Sequence, residues 1–368
     1  MAPDQEYQHT LIENTSIGKE LAFSRFVAKR VVNMVIVLFA TLVLTIALLG
    51  PTMDKVLRDA IRFYVTEEVS NNKDLRFSSA AERQQYIDAA IGRQVENNGL
   101  DQPWYSPPRF ANTVLKVMVL DLGRSNLMTS ESGSPRVQDI ILEKLPKTVL
   151  LFTTSTLITT VAGLYLGAYV GNKTGSIWDR LNSTFAVFSS SFPTWWVGML
   201  MIFAFAFAWK IFPSQANPLT PPSDPAYVFD LLYHMILPLA TIVVVGFGAW
   251  AYTVRYFVVG ILGEDYITAK RTAGIPERRI VYTHALKNAA PPIVTVVALS
   301  LAGSLSGAIT IEAVFSWPGM GSLYYQAIGM LDIPIIIGIT YVLTLIFVIT
   351  VFITDILYAY FDPRVKVG

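Results

Sequence analysis

Residues Ile333–Thr354 read Ile-Pro-Ile-Ile-Ile-Gly-Ile-Thr-Tyr-Val-Leu-Thr-Leu-Ile-Phe-Val-Ile-Thr-Val-Phe-Ile-Thr, 22 residues without an Asp, Glu, Lys or Arg. A bilayer core is about 30 Å thick, and a helix rising about 1.5 Å per residue needs roughly 20 apolar residues to cross it. This stretch meets that demand. Five others do so too: Val31–Leu49, Thr148–Val170, Phe185–Ala208, Ile236–Val254 and Ala289–Ile311. Buried helices of a large soluble protein are the bland alternative, but six uninterrupted runs of this length argue against it. The reading is an all-α membrane protein with six transmembrane helices.

Composition agrees. Of 368 residues, 53% are hydrophobic and 15% charged, against about 25% charged in soluble domains. The mean hydropathy is +0.47. Disorder, a basic nucleic-acid binder and a disulfide scaffold are excluded. There is no Cys, so thiol catalysis and thiolate metal sites are excluded as well. His9, His234 and His284 are far apart in sequence and show no metal-ligand spacing. The polar first twenty residues do not read as a cleavable signal peptide.

Lys and Arg set the orientation. With the N-terminus inside, the cytoplasmic segments hold fourteen of them, including Lys19, Arg30, Arg180, Arg255, Arg364 and Lys366. The two short outside loops hold one, Lys210, and the long segment 50–147 carries thirteen basic and thirteen acidic residues. Long loops translocate largely regardless of charge, so both termini are expected in the cytoplasm. The three glycosylation patterns, at Asn14, Asn172 and Asn182, then fall on the cytoplasmic side and read as chance. The expected organisation is a cytoplasmic segment 1–30, a first transmembrane helix 31–49, a large extracytoplasmic insert 50–147, and a five-helix core 148–368 with a cytoplasmic loop at 262–288. Within the insert, Val56–Val69 and Ala80–Val95 have amphipathic patterns, Pro103, Pro107 and Pro108 break the next stretch, and Asn112–Leu122 reads as an interfacial helix. A solvated cap and a docking surface for an extracytoplasmic protein are both open. Gly163, Gly167 and Gly171, and likewise Gly303 and Gly307, recur every four residues, as close helix packing requires. Pro193 inside the third run predicts a bend.

The most informative loop is Glu264–Asn288. Leu262–Ala273 suits a helix, with Glu264 and Asp265 at its start and Lys270 and Arg271 near its end, matching the helix dipole. Gly274 predicts a C-terminal stop and Pro276 prevents continuation. Arg278–Asn288 suits a second helix. A short helix, a sharp turn and a second helix at the membrane surface make a lever that another protein could push.

Here the chain resembles the permease subunits of binding-protein-dependent ABC importers, and most of all the B-type permease of the dipeptide, oligopeptide and nickel group. The family's Gly-Leu-Ser-Glu-Arg-Arg appears as Gly274–Arg279, and its Arg-His-Ala-Leu-Arg-Asn as Thr283–Asn288. Asp121-Leu122-Gly123-Arg124-Ser125, Leu145–Thr148, Ser191–Gly198, Glu312–Gly321, Asp332-Ile333-Pro334 and Asp355–Arg364 match further segments in order. The likeness covers residues 100–366 and the basic stretch Arg25–Arg30. The chain departs at Gly50-Pro51-Thr52-Met53-Asp54, where the family usually has Pro-Gly-Asp-Pro, and at Thr272-Ala273, where it often has Ala-Lys; segment 50–100 is also longer.

The resemblance implies a type I ABC importer permease fold in a prokaryotic inner or plasma membrane. It implies one half of a transmembrane pathway, completed by a second homologous permease subunit. Two ATP-binding subunits would bind beneath, and an extracytoplasmic substrate-binding protein would deliver cargo. The chain would bind no cofactor and no nucleic acid; ATP and Mg would be used by the partner subunits, consistent with the lack of a Gly-x4-Gly-Lys-Ser/Thr loop in this sequence. In the coupling helix, Tyr266, Ala269, Gly274 and Ile275 are expected as the packing surface, with Asp265, Lys270, Arg271, Arg278 and Arg279 as polar contacts. Trp195, Trp196, Glu312, Trp317 and Asp332 are candidates for the pathway or outer gate, and Tyr324 and Tyr325 would extend an aromatic path.

Other functions weigh less. A secondary transporter driven by protons or sodium usually carries ionisable residues inside its spans, and these six runs have none, which argues against a proton relay and leaves sodium sites made of backbone carbonyls open. A membrane enzyme would need a polar cluster that Glu312, Asp332 and Asp355 do not form in sequence, and a channel would need a filter-like loop. Within the importer class, peptides are the default cargo, with oligosaccharides or nickel as alternatives.

Overall fold

The computed structural model describes residues 3–72, 75–125, 127–304 and 307–361, with side chains described from residue 24 to 356 except at these gaps and at Ala302. The side chains of His9, Asn14, Lys19 and Tyr358, and all of Arg364 and Lys366, lie outside the described residues.

The helices run in chain order as α1 (Pro3–Asn71), α2 (Ala80–Asn97), α3 (Pro107–Met118), α4 (Val137–Asn172), α5 (Ile177–Ser191) and α6 (Thr194–Met201). α6 continues as a π-helical segment, Ile202–Ala208. Then come α7 (Tyr227–Leu262), α8 (Asp265–Thr272), α9 (Glu277–Arg279), a second π segment (Ile280–Ala285), α10 (Leu286–Ser304), α11 (Ile309–Phe315), α12 (Met320–Met330) and α13 (Ile333–Phe361).

Among the described residues, four helical stretches are long and apolar enough to cross a membrane: Ser24–Asn71, Val137–Asn172, Tyr227–Leu262 and Ile333–Ile356. A fifth candidate is broken: Ile177–Ser191 and Thr194–Ala208 meet at 99°. Pro193 has no N–H to give to the ladder, and Phe192 before it is extended at φ −109°, ψ 139°. The predicted run Ala289–Ile311 corresponds to α10 and α11. α10 contains Pro291 and Pro292, and residues 305 and 306 between it and α11 lie outside the described residues.

Packing divides the chain into two units. One comprises Met1–Met34, Lys144–Tyr325 and Leu345–Gly368; the other comprises Val35–Glu143 and Gln326–Thr344.

In the first unit, the row Gly163, Gly167 and Gly171 on α4 meets α7. A methyl group added at Gly167 would lie 2.5 Å from the Ala251 carbonyl oxygen, and one at Gly171 would lie 3.1 Å from Val258. The small-residue row therefore acts as the sequence predicts, by letting two backbones approach. The pair at 303 and 307 splits: nothing lies within 4 Å of Gly303, whereas Gly307, in a turn at φ +66°, is closely packed, and a methyl group there would lie 2.6 Å from the Thr148 side chain. Ala168, Val254, Val258, Val281, Ala285, Ala289 and Ile293 form one buried cluster. A second gathers Leu151, Leu231, Met235, Phe315 and Trp317.

In the second unit, the end of α1 pairs with α2 through Val65, Val69 and Ile87. Arg109 holds Asp54 at 2.5 Å, and Arg58 bonds the Leu100 carbonyl. The structure corrects two details. Val56–Val69 is no separate helix but the continuation of α1 through Pro51. Pro107 and Pro108 start α3 rather than break it, because the first helical turn needs no N–H from them; Leu120, at φ 64°, stops the chain short of the predicted end at Leu122.

Candidate functional site

The loop between α7 and α10 folds as a closed turn. α8 carries Asp265 in its first turn and Lys270 and Arg271 in its last, so its charges oppose its own dipole ends. Ala273 caps it and Gly274 follows at φ +75°. The Gly274 N–H donates to the Arg271 carbonyl at 3.0 Å, and the Ile275 N–H to the Lys270 carbonyl at 3.2 Å. This is the Schellman arrangement, which needs a left-handed residue at that position. Pro276 then opens α9.

One side chain of α8 points inward: Ile267 is fully buried. α8 packs on the π segment 280–285, whose Ile280, Val281 and Ala285 are buried too. The opposite face is open. Asp265, Tyr266, Ala269, Arg271, Gly274, Arg278 and Arg279 are exposed, and Lys270 and Ile275 are half-buried. The structure thus brings all nine residues nominated for coupling onto one short excursion.

Electrostatics stiffen this turn. Arg271 grips Glu277 with two bonds, at 2.7 and 3.1 Å. The guanidinium holds the Glu277 carboxyl below the usual carboxylate range, and Glu277 in turn raises Arg271. Asn288 on α10 donates to the Tyr266 hydroxyl at 2.5 Å, tying the two arms together. Desolvation, and then the nearby cations Lys270, Arg279 and Lys287, disfavour a charged His284. The open face carries charges of both signs: Glu264 and Asp265 at its start, the Arg271–Glu277 pair, and Lys270, Arg278 and Arg279.

A further tie was illegible in the sequence. Arg255, just past the fourth predicted span, makes a bidentate pair with Asp179 of α5; its Nη2 lies 2.9 Å from Oδ2. Asp179 also accepts from the Gly175 N–H at 2.8 Å. Arg255 first, with that N–H, holds the Asp179 carboxyl below its usual range.

The nominated gate residues are placed variously. Trp195 and Trp196 are exposed on the chain, with Trp196 stacked on Phe192 at 4.8 Å. Trp317 and Glu312 are fully buried struts. The Trp317 indole donates to the Lys147 carbonyl at 3.1 Å. Glu312 accepts from the Thr148 hydroxyl at 2.8 Å and from the N–H groups of Gly321 and Ser322 at 2.8 and 3.2 Å. The Met320 N–H donates to Thr148 Oγ1 at 2.7 Å. The N-terminus of α12, preceded by Gly319, is therefore capped by side chains from α11 and α4. In the other unit, Asp332 is buried before α13 and accepts from the Ser125 hydroxyl at 2.5 Å. These three acid and aromatic side chains brace turns and do not face open space. Among the described residues, no three His, Asp or Glu side chains converge as a metal site would require.

Comparison with known proteins bears on the same segments. Residues 163–367 match the family model described as the binding-protein-dependent transport system inner membrane component. The oligopeptide transport system permease protein AppB of Bacillus subtilis is 28% identical over 288 residues, which cover 78% of this chain and 86% of that protein. The dipeptide transport system permease protein DppB of Escherichia coli K12 is 29% identical, covering 73% and 83%. The probable D,D-dipeptide transport system permease protein DdpB of the same strain is 31% identical, covering 76% and 86%. The family match contains the whole α8 turn, the glycine row and Glu312, while Thr148, its partner in the cap, lies before it. The chain belongs to the family of inner membrane components of binding-protein-dependent transport systems.

Proposed function

We propose that this chain is a permease subunit of an ATP-driven importer of dipeptides or oligopeptides. It forms half of the translocation pathway in a prokaryotic inner membrane, with six spans and both termini in the cytoplasm. A second, homologous permease supplies the other half. Two ATP-binding subunits hydrolyse ATP with Mg beneath it, and an extracytoplasmic binding protein delivers cargo toward the face that carries residues 50–147. The peptide cargo is carried over from the names of the relatives.

The observation that carries the reading is the α8 turn. A buried Ile267 roots it in the helix bundle, while Tyr266, Ala269 and Gly274 lie open on the other side. An isolated chain has no reason to keep a rigid, charged, outward-facing turn at this place; a docking lever does. Ala269→Trp tests this. Ala269 is exposed, so the bulk costs the chain's own fold little. Reconstituted with its partners, the variant should insert normally and lose binding-protein-stimulated ATP hydrolysis. Normal stimulation would refute the docking assignment.

A further inference from the structure

A cavity of about 240 Å³ opens between α4, α7 and α10, lined by Thr156, Thr159, Thr160, Gly246, Trp250 and Ser300 among others. The two faces of α4 differ there. Leu157, Ile158, Val161 and Tyr165 form an exposed apolar stripe suited to lipid. Thr156, Thr159 and Thr160 lie on the cavity side, continuing into Gly163 and Gly167.

The hydroxyls behave differently too. Ser155, Thr241 and Thr253 on the same helices donate to the carbonyl four residues back, at 2.7, 2.9 and 3.0 Å. That is how a hydroxyl is satisfied inside a bilayer. Among the described residues, the hydroxyls of Thr156, Thr159, Thr160 and Ser300 make no such bond and have no other protein partner. Trp250 uses its N–H on the Thr160 carbonyl at 3.1 Å, which fixes the wall without filling the space. A dry apolar setting penalises unpaired hydroxyls; a wet one does not.

We infer that this hydroxyl-lined cleft is a section of the translocation path and pairs with the main-chain amides of a passing peptide. The inference rests on the proposed importer function. Four hydroxyls stand in a lining that is otherwise mainly apolar, with Ile242, Trp250 and Val297, and it carries no charge, so it serves peptides regardless of side-chain charge. Its contacts are neutral and replaceable by water, so they guide cargo without trapping it.

The natural chain has no Cys, which makes the test direct. Thr156→Cys, Thr159→Cys and Ser300→Cys are made singly, with Leu157→Cys as the lipid-facing control. Each is assembled with its partner subunits in membrane vesicles. A charged methanethiosulfonate reacts with a thiolate, and an apolar setting suppresses that form. The three cleft positions should react at least about tenfold faster than position 157, the effect of a thiol pKa shift of about one unit. Their rates should also change when a non-hydrolysable ATP analogue with Mg closes the ATPase subunits. Three results overturn the inference: equal rates at position 157, reaction only with a membrane-partitioning apolar maleimide, or no reaction with either reagent because the partner permease fills the cleft. Binding-protein-stimulated ATP hydrolysis is measured in the same vesicles. Its absence in the unsubstituted chain sinks the importer reading; its presence with failed labelling sinks only the cleft.

Discussion

Gly274→Val separates backbone geometry from every other property of the turn. A Cβ at Gly274 would meet nothing within 4 Å, so the chain itself has room for a side chain. The penalty is conformational. At φ +75° an L-residue pays about 1–2 kcal/mol, and a β-branched one sits at the upper end. Relief comes by moving φ to negative values, which breaks the bonds from Gly274 to Arg271 and from Ile275 to Lys270 and displaces Glu277 from Arg271. A cost of about 1–2 kcal/mol lowers the ratio of the native turn to its competitors about 5- to 30-fold, which bounds the loss from above. Uptake by reconstituted complexes should fall by up to that factor, while basal ATP hydrolysis and the amount of inserted subunit stay near normal. Gly274→Asn is the control. Asn tolerates the left-handed region, so uptake should fall by no more than about threefold. Wild-type uptake by the Val variant would refute the lever. Equal damage by Asn and Val would refute the conformational argument and move the effect to side-chain bulk at the partner surface.

Gly167→Leu should prevent stable assembly, since even its first carbon would lie 2.5 Å from the rigid Ala251 carbonyl; recovery of normal amounts of folded subunit in detergent would contradict the α4–α7 contact. Glu312→Gln should cost about 1–3 kcal/mol, read as a lowered thermal midpoint, because one amide cannot accept from both the Thr148 side and the Gly321–Ser322 side. Asp179→Asn should cost about 1–3 kcal/mol by leaving Arg255 half-paired. The Asp179 pKa is lowered on folding, so its contribution is complete above the unfolded value of about 4 and is lost only as pH falls through the folded one. The difference between wild type and this variant should therefore be constant from pH 5.5 to 8, by thermal unfolding of the purified complex; a difference that shrinks within that range would contradict the pairing. Removing residues 56–95, the end of α1 with most of α2, should weaken stimulation by the binding protein and spare basal ATP hydrolysis; unchanged stimulation would make this hairpin a passive cap.

What could be read from the sequence was local. Charge-free runs mark helices long enough for a bilayer, because exclusion of Lys and Glu holds at every residue of such a run. Gly274 and Pro276 mark the turn, because each acts on its own backbone. The glycine row on α4 was legible for the same reason. What escaped depends on distant partners. Nothing near Asp179 announces Arg255, 76 residues on. Nothing near Gly319 announces that Glu312 and Thr148 will cap α12, because remote capping leaves no Ser or Asp at the N-cap. Pro193 signalled a bend, but its 99° is set by what the two arms pack against. The cleft was missed because Thr156, Thr159 and Thr160 read as ordinary members of an apolar run; only the unused i−4 bonds separate them from Ser155.

Lever and cleft share one packed wall. α8 sits on the segment Ile280–Ala285. Val281 and Ala285 of that segment belong to the same buried cluster as Ala168 of α4, Val254 and Val258 of α7, and Ile293 of α10. Trp250 and Val297, which line the cleft, pack against this cluster. The glycine row sets the backbone of α4 directly against Trp250, Val254 and Val258 of α7, and close-packed interiors transmit strain rather than damp it. A push on α8 therefore reaches the cleft through side chains already in contact, with no hinge between. The π geometry of Ile280–Ala285 lies where α8 packs on the bundle, and such segments recur at functional sites in helices. On this argument Ala285→Leu, which overfills the joint at a fully buried position, should uncouple ATP hydrolysis from uptake even though Ala285 touches neither nucleotide nor cargo. A variant that assembles and still couples normally would show that movement bypasses this wall.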